Sequence, residues 1–230
     1  MKIGILGTGM VGQTIASRLF ELRHEVMIGT RDVMEKMTSP GKEGPGNPSF
    51  GEWQSKCPDV GIGTFAEASA FGELIINATL GAASLSALSL AGGSNLSGKI
   101  LVDVSNPLDF SRGMPPSLIP DLQNTNSLGE EIQKAYPSAR VVKTLNTMWC
   151  GLMVHPCMLG GGEHVNYICG NDADAKNEVI NLLKQFGWRQ ANIIDLGDIT
   201  GARASESVLL VWIRLMGVLN TGVFNLRLMK

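Results

Sequence analysis

Three glycines near the beginning of the chain have the spacing of a phosphate-binding turn. Gly7, Gly9 and Gly12 follow a short apolar run and precede a helical pattern. In such a unit the first glycine permits the turn, the second lets the backbone approach a pyrophosphate, and the third allows close packing of helix and strand. The helix N-terminus adds unpaired amides and a partial positive charge. The chain has 28 glycines, so the spacing alone is weak evidence, and the strand and helix patterns around it support the prediction. We expect a dinucleotide at the turn formed by Gly7, Thr8, Gly9, Met10, Val11 and Gly12.

The residues after the second predicted strand (25–29) bear on the choice between NAD and NADP. Thr30 and Arg31 follow this strand, and a hydroxyl beside a guanidinium fork suits a ribose 2′-phosphate. Asp32 lies near the acidic position of the NAD pattern, but it can instead cap a short helix that begins directly after it. Lys36 would approach the same phosphate from that helix. We expect NADP rather than NAD, and the alternative for Arg31 is a solvated surface charge.

Small and polar residues follow three further predicted strands, 73–80, 99–104 and 140–145. Ligands of a parallel sheet lie outside the carboxyl ends of its strands, so these ends should line one crevice with the glycine turn. We expect the cofactor to contact Asn77, Ala78, Thr79, Leu80, Asn106 and Pro107. We expect the substrate to contact Asn146, Thr147 and Met148. Asn106, Asn146 and Thr147 are candidates for orienting a nicotinamide carboxamide and the acceptor; for each, strand-end capping is the alternative role.

Apolar strands that alternate with helices predict an α/β fold, a doubly wound parallel sheet of the Rossmann type. The tail adds a small α/β extension, with strands 167–170 and 193–196 around the helix 172–186, and ends in an apolar helix. We divide the chain into an NADP-binding Rossmann domain, 1–148, and a smaller C-terminal part, 149–230. The remaining predicted elements are a strand over 62–64 and helices over 65–71, 82–91 and 128–136.

The last predicted helix, 208–219, is apolar on nearly every side apart from Arg214. A helix without a polar face must be buried, and about 12 residues are too few to span a bilayer. Two places are open for it: an interface with another subunit, or the chain's own sheet.

The Pro- and Gly-rich stretch 38–48 predicts an exposed loop rather than a linker between domains. Phe50 and Trp53 follow it and should fold back onto the body of the protein. They would either anchor the loop or belong to a lid over the cofactor, and we favour the anchor.

The composition excludes several classes of protein. A net charge of −2 gives no electrostatic surface for nucleic acid, and no apolar window reaches the ~18 residues of a membrane helix. The chain begins with the predicted first strand, so no cleavable leader is expected. The four scattered cysteines suit the reduced thiols of a cytoplasmic protein. Cys150, His155 and Cys157 lack the regular spacing of metal ligands, so we expect no metal.

Segments spread over nearly the whole chain match one known family: residues 7–12, 24–26, 29–31, 104–107, 141–147, 201–203 and 212–215. The glycine motif is generic, whereas its combination with the Lys-x-x-Asn-Thr strand end and the C-terminal helix is more specific. On these residues the chain resembles the NADPH:coenzyme F420 oxidoreductase family, which includes the cytosolic reductase domain of six-transmembrane metalloreductases.

This resemblance implies a homodimer that binds NADP, with Thr30 and Arg31 at the 2′-phosphate. It also implies hydride exchange between the nicotinamide and a flavin-like ring, a deazaflavin or flavin, held by the C-terminal part, which would also form the dimer. Arg23 stands where family members commonly have glycine, so we expect a strained turn at the end of the first helix. Residues 146–150 replace a His-x-x-Pro-like segment of deazaflavin reductases. The acceptor therefore stays open between a deazaflavin, an ordinary flavin and a small metabolite.

Hydride transfer between two flat rings needs proximity, stacking and exclusion of water rather than acid–base groups, so we assign no catalytic residue. A reductase of a small carbonyl or imine, or a hydroxy-acid dehydrogenase, would need a proton donor. Lys143 and Asn146 are three apart on a strand and so point to opposite faces, and we expect the Lys143 ammonium to meet carbonyls or a carboxylate. His155 and His164 stay open as donors. A non-enzymatic NADP sensor is the other alternative.

Overall fold

The computed structural model describes residues 1–39 and 49–229. Its strands are β1 (Lys2–Leu6), β2 (Glu25–Thr30), β3 (Gly61–Thr64), β4 (Leu74–Asn77), β5 (Ile100–Asp103), β6 (Leu108–Asp109), β7 (Ser117–Leu118), β8 (Arg140–Thr144), β9 (Asn166–Cys169) and β10 (Ile193–Asp195). Its helices are α1 (Met10–Glu21), α2 (Val33–Thr38), α3 (Phe50–Lys56), α4 (Phe65–Phe71), α5 (Gly81–Ala91), α6 (Gly93–Leu96), α7 (Leu128–Ala135), α8 (Cys150–Val154), α9 (Ala173–Phe186) and α10 (Ala202–Leu219).

Eight of these strands form one sheet, in the order β10-β9-β8-β5-β4-β1-β2-β3. In the part of this sheet that runs β8-β5-β4-β1-β2-β3, every pair of neighbouring strands is parallel. The strand order reverses at β1, since β2 lies on one side of it and β4 on the other, and ligands of such sheets bind at that point. The predicted doubly wound Rossmann sheet is confirmed.

The tail strands differ from an all-parallel sheet. The predicted strand–helix–strand unit forms as β9, α9 and β10, but β9 pairs antiparallel with β8. Two adjacent parallel strands need a crossover that returns the chain to the opposite edge of the sheet. After β8 the chain instead passes through the short α8 and two 3-10 turns, and it re-enters the sheet from the carboxyl edge. The tail thus extends the same sheet, and the boundary at residue 148 stays a prediction.

Both faces of the sheet are covered by helices. On one face Ile15 and Leu19 of α1 pack with Val179 of α9 in a cluster of buried residues. On the other, Leu88 of α5 and Ile132 of α7 pack in a second cluster. Strands buried on both faces need apolar residues at nearly every position, which explains the continuous apolar runs in the sequence.

The C-terminal helix α10 is longer than predicted and only half buried. Leu209, Trp212 and Ile213 pack on the chain's own body, whereas Val211 and Val218 are 53% and 76% exposed. The helix begins at Ala202, and Ala202, Ser205 and Glu206 of its less apolar first two turns are buried. None of the helices in the described parts of the chain is long and apolar enough to cross a membrane.

Two local predictions about the first helices are confirmed. Arg23, in the turn that follows α1, has a left-handed backbone conformation with a φ of 65°. This is the strained turn expected where family members commonly have glycine. Phe50 and Trp53 are buried, and Trp53 Nε1 donates to Ser17 Oγ at 3.0 Å, which is the anchoring arrangement. Most of the predicted loop, 40–48, lies outside the described residues.

Candidate active site

The glycine turn has the geometry that a bound pyrophosphate requires. Gly7 has a φ of 115°, and a Cβ there would lie 2.6 Å from the carbonyl oxygen of Ala78. A Cβ on Gly12 would lie 1.9 Å from Gly7 O, whereas a Cβ on Gly9 would meet no described atom within 4 Å. Gly7 and Gly12 are therefore needed for the fold, and the space at Gly9 is open to a ligand. Gln13 Nε2 braces the turn by donating to Thr8 O at 2.9 Å.

The first turn of α1 leaves its amides available. Gly9 is the N-cap, and no side chain of the described chain caps the helix. Exposed Met10 and partly buried Val11 begin the helix. The first amides of a helix have no partner within it, and together with the helix dipole they favour an anion. This end of α1 can therefore receive phosphate oxygens.

At the tip of β2 the structure separates the roles of three neighbouring residues. Thr30 is buried, and Arg31 is exposed. Asp32 caps α2, since its Oδ1 accepts from the backbone N of Glu35 at 2.9 Å. The predicted capping role is confirmed, and Arg31 is left as the charged group at the tip. The Lys36 Nζ lies 5.8 Å from the centre of the Phe50 ring, and its contact with a phosphate stays a prediction.

The end of β4 supplies backbone rather than side-chain groups to the crevice. The side chain of Asn77 is fully buried and donates to Asp103 Oδ1 at 2.9 Å. Thr79 Oγ1 donates to Asn77 Oδ1 at 2.7 Å, and Ala78 N continues the ladder to Leu6 O. Exposed Leu80 is the N-cap residue of α5. Asn77 can therefore act on a ligand only by holding the residues after it.

Asn106 and Asn146 face each other across the ends of β5 and β8. Asn106 Nδ2 donates to Asn146 O at 2.8 Å, and Asn146 Nδ2 donates to Asn106 Oδ1 at 2.9 Å. The Asn146 Oδ1 is buried and has no hydrogen-bond partner among the described residues. A buried acceptor without a donor is unfavourable, so a movement of this side chain that gives the oxygen a donor from water or a ligand would be favoured.

Two features fix the backbone around this asparagine pair. Leu145 has a φ of 62°, an uncommon conformation for a residue with a Cβ that is often found at functional sites. A Cβ on Gly81 would lie 1.9 Å from Asn106 O, so the start of α5 touches the loop before Pro107. Thr147 and Met148, predicted to contact the substrate, are almost wholly buried in the single chain.

Behind the strand ends lies a group of buried charges. The Lys143 Nζ donates to Asp103 Oδ2 at 2.7 Å and to Ser105 O at 2.6 Å, and it pairs with Glu206 Oε1 at 2.8 Å. Burial by itself lowers the pKa of Lys143, but the carboxylates of Asp103 and Glu206 outweigh burial and raise this pKa above its ordinary value. The expectation that Lys143 meets a carbonyl and a carboxylate is confirmed.

Glu206 was missed by sequence reasoning. The one available signal was a carboxylate among the small and apolar residues that begin α10, and nothing in the sequence connects it to Lys143. Of the two histidines left open, His164 is buried, and its Nε2 lies 2.9 Å from Pro156 O. In the two described stretches no three His, Cys, Asp or Glu side chains form a group that could hold a metal ion.

Known proteins resemble this chain over all or part of its length. A family described as "NADP oxidoreductase coenzyme F420-dependent" matches residues 2–107. The crystal structure of a "putative f420 dependent nadp-reductase" from Arthrobacter sp. FB24 is 52% identical, with each chain covered in full and a TM-score of 0.94.

Two more distant similarities concern larger proteins. The metalloreductase STEAP3 of Rattus norvegicus is 30% identical over 210 residues, which make up 90% of this chain and 36% of the rat protein. The chain thus spans about a third of that relative. An imine reductase from Myxococcus stipitatus in complex with NADP+ is 14% identical, with a TM-score of 0.63 over 95% of this chain and 64% of its own. At that identity the likeness concerns the fold alone.

Proposed function

Because the chain belongs to the coenzyme F420-dependent NADP oxidoreductase family, we propose that it transfers a hydride between NADPH and a flat, flavin-like ring, either a deazaflavin or a flavin. Family membership makes the chain an NADP-dependent oxidoreductase. The nature of the acceptor and the roles of individual residues belong to the proposal.

The chemical character of the strand ends supports a ring acceptor. The residues at these strand ends, 77–80, 105–107 and 146–148, have no ionisable side chain. Asp103 and Lys143, which lie beside them, are fully buried and bonded to each other. Reduction of a carbonyl or an imine needs a proton donor at the reacting atom. Hydride transfer between two rings needs proximity, stacking and exclusion of water, which neutral side chains and backbone can provide.

In this proposal NADPH lies along the carboxyl edge of the sheet. The turn Gly7–Gly12 and the start of α1 bind the pyrophosphate, and Thr30, Arg31 and Lys36 bind the 2′-phosphate. The nicotinamide lies between the ends of β4 and β5, against Ala78–Leu80 and Asn106–Pro107. A movement of the Asn146 side chain on binding would let its Oδ1, which lacks a donor among the described residues, accept a hydrogen bond from the carboxamide NH₂. The acceptor ring stacks on the exposed side of the nicotinamide, close to 146–148.

The proposal extends to the assembly and its location. The exposed apolar side of α10, which includes Val211 and Val218, supports a homodimer through this helix. All four cysteines lie in the described residues and each is free, which supports a reducing compartment such as the cytoplasm.

Anaerobic oxidation of NADPH tests the proposed reaction. The purified protein is offered the deazaflavin coenzyme F420, FMN, FAD and a cyclic imine in separate reactions, and loss of NADPH absorbance is followed. We expect at least one ring acceptor to be reduced and the imine to be left unchanged. Reduction of the imine alone would replace the proposal with a metabolite reductase. Binding of NADPH with no turnover of any acceptor would favour a sensor.

A further inference from the structure

A row of polar side chains crosses three neighbouring strands beneath the proposed nicotinamide site. Asn77, Asp103 and Lys143 are register partners across β4, β5 and β8, and all three are fully buried. Asp103 links the row, because its Oδ1 accepts from Asn77 and its Oδ2 accepts from Lys143. The hydride transfer proposed above requires none of these side chains to touch a ligand.

The row holds the loop that follows β5. The Lys143 Nζ donates to Ser105 O at 2.6 Å, and Asp103 Oδ1 accepts from both the backbone N and the Oγ of Ser105, at 3.2 and 2.6 Å. The next residue is Asn106, which bonds to Asn146 at the end of β8. The Lys143 ammonium therefore holds the backbone of the residue that directly precedes the asparagine pair.

Glu206 joins this row to the C-terminal helix. Its Oε1 pairs with the Lys143 Nζ at 2.8 Å and accepts from Gly129 N at 3.1 Å, and its Oε2 accepts from Leu128 N at 3.0 Å. One carboxylate thus connects α10 to β8 and to the first turn of α7, where the positive end of the helix dipole favours it. With these bonds the three protons of the Lys143 ammonium are all used.

Stability alone does not account for such a group. Removing charges from water is costly, and well-packed apolar side chains of similar volume often stabilise a core at least as well as a buried ion pair. A buried group whose donors and acceptors are all matched does, however, hold its members in one arrangement. The group lies directly behind the loops where the two rings would meet, and ring-to-ring hydride transfer depends on accurate placement.

We propose that Lys143 and Glu206 are positioning residues, which fix the loops after β5 and β8, and so the nicotinamide ring, relative to helix α10. This inference rests on the proposed function, since it assigns these two residues a role in the same site. The binding of NADPH depends mainly on the distant phosphate contacts. Loss of the ion pair should therefore slow hydride transfer much more than it weakens binding.

The variant Glu206→Gln tests this, with Arg203→Gln as its matched control. Glutamine removes the negative charge beside Lys143 and replaces one of the two carboxylate oxygens by an NH₂ group, which can accept neither from Lys143 nor from an amide of α7. Arg203 joins the same two helices through a more exposed pair with Glu130, at 2.6 Å, and leaves Lys143 untouched. For each protein we would measure the Kd of NADPH, kcat with the ring acceptor, the deuterium isotope effect with 4-deuterated NADPH, and thermal unfolding.

We expect Glu206→Gln to lower kcat by ~10-fold to 100-fold and to raise the isotope effect, with the Kd of NADPH changed by less than about 3-fold. Arg203→Gln should match the wild type in all of these. An unchanged kcat for Glu206→Gln would overturn the inference. So would a loss of kcat that is matched by an equal loss of NADPH-binding capacity, since that is a folding defect.

Two further measurements keep the test decisive. If Glu206→Gln does not fold, the double variant Asp103→Asn, Lys143→Met removes one negative and one positive charge together, leaves Glu206 bonded to the amides of α7, and takes its place in every assay. If the wild type reduces no ring acceptor, the proposed reaction fails, and the fluorescence lifetime of bound NADPH tests the positioning by itself. That lifetime depends on how freely the bound nicotinamide ring moves, so it should change in Glu206→Gln and not in Arg203→Gln. An unchanged lifetime in Glu206→Gln would overturn the inference.

Discussion

At the scale of single residues, Arg31 can discriminate between the two nicotinamide dinucleotides. Its acidic neighbour Asp32 caps α2 through Oδ1, and the exposed guanidinium remains at the tip of β2. Hydrogen bonds to a charged group contribute about 1.5–3 kcal/mol. We therefore expect Arg31→Ala to weaken NADPH binding by ~10-fold to 100-fold and to leave NADH binding nearly unchanged. Titration of protein fluorescence with each dinucleotide measures both, and NADH is the internal control. Equal losses for the two would place the 2′-phosphate away from Arg31.

The residues of the candidate site differ in how far the sequence could predict them. The glycine turn was predictable because a tight turn and close helix packing leave few residue types possible at Gly7 and Gly12. Lys143 was predictable in part, because its position on a buried strand required a polar partner. Glu206 was not predictable, since the contact depends on how α10 packs against the sheet, and a one-dimensional pattern does not contain that packing.

At the scale of elements, the end of α1 carries strain that one substitution should remove. Arg23 N donates to Phe20 O and His24 N to Leu19 O, the two bonds of a Schellman motif whose left-handed residue is usually glycine. We expect Arg23→Gly to raise the free energy of unfolding by about 0.5–1 kcal/mol, which is the relief of left-handed strain less the entropy of glycine. Urea denaturation measures this change.

Arg23→Ala is the matched control, because it removes the same side chain but keeps the Cβ that causes the strain. It should show no gain in stability. A gain in Arg23→Ala as large as that in Arg23→Gly would mean that the guanidinium, and not the backbone conformation, is unfavourable at this position.

The sequence predicted where the strands and helices lie along the chain better than it predicted the direction in which a strand runs in the sheet. Apolar runs and helical patterns gave β4, β5 and β8, because strands covered on both faces must be apolar along their length. The direction of β9 was missed, since an apolar run reads the same for a parallel and an antiparallel strand. The start of α10 was missed because Ser205 and Glu206 are polar residues that the structure buries.

At the scale of the whole molecule, the exposed half of α10 leads to a prediction about assembly. Val211 and Val218 are seven residues apart, so they lie on the same side of the helix, opposite the residues that pack on the chain's own body. Apolar surface of this kind is typical of an interface. We expect the 24.6 kDa chain to have twice that mass in solution by light scattering, and the double variant Val211→Asp, Val218→Asp to have the mass of one chain.

The control for the dimer is the double variant Leu85→Asp, Leu90→Asp, which places the same two charges at exposed apolar residues of α5 and should leave the mass unchanged. A monomeric wild type would contradict the proposed dimer.

The monomeric variant also separates the two halves of the proposed site. All residues assigned to NADPH lie within one chain, so its Kd should stay close to that of the wild type. If the acceptor ring needs the second subunit, ring reduction alone should be lost; if reduction persists, each chain holds both rings by itself.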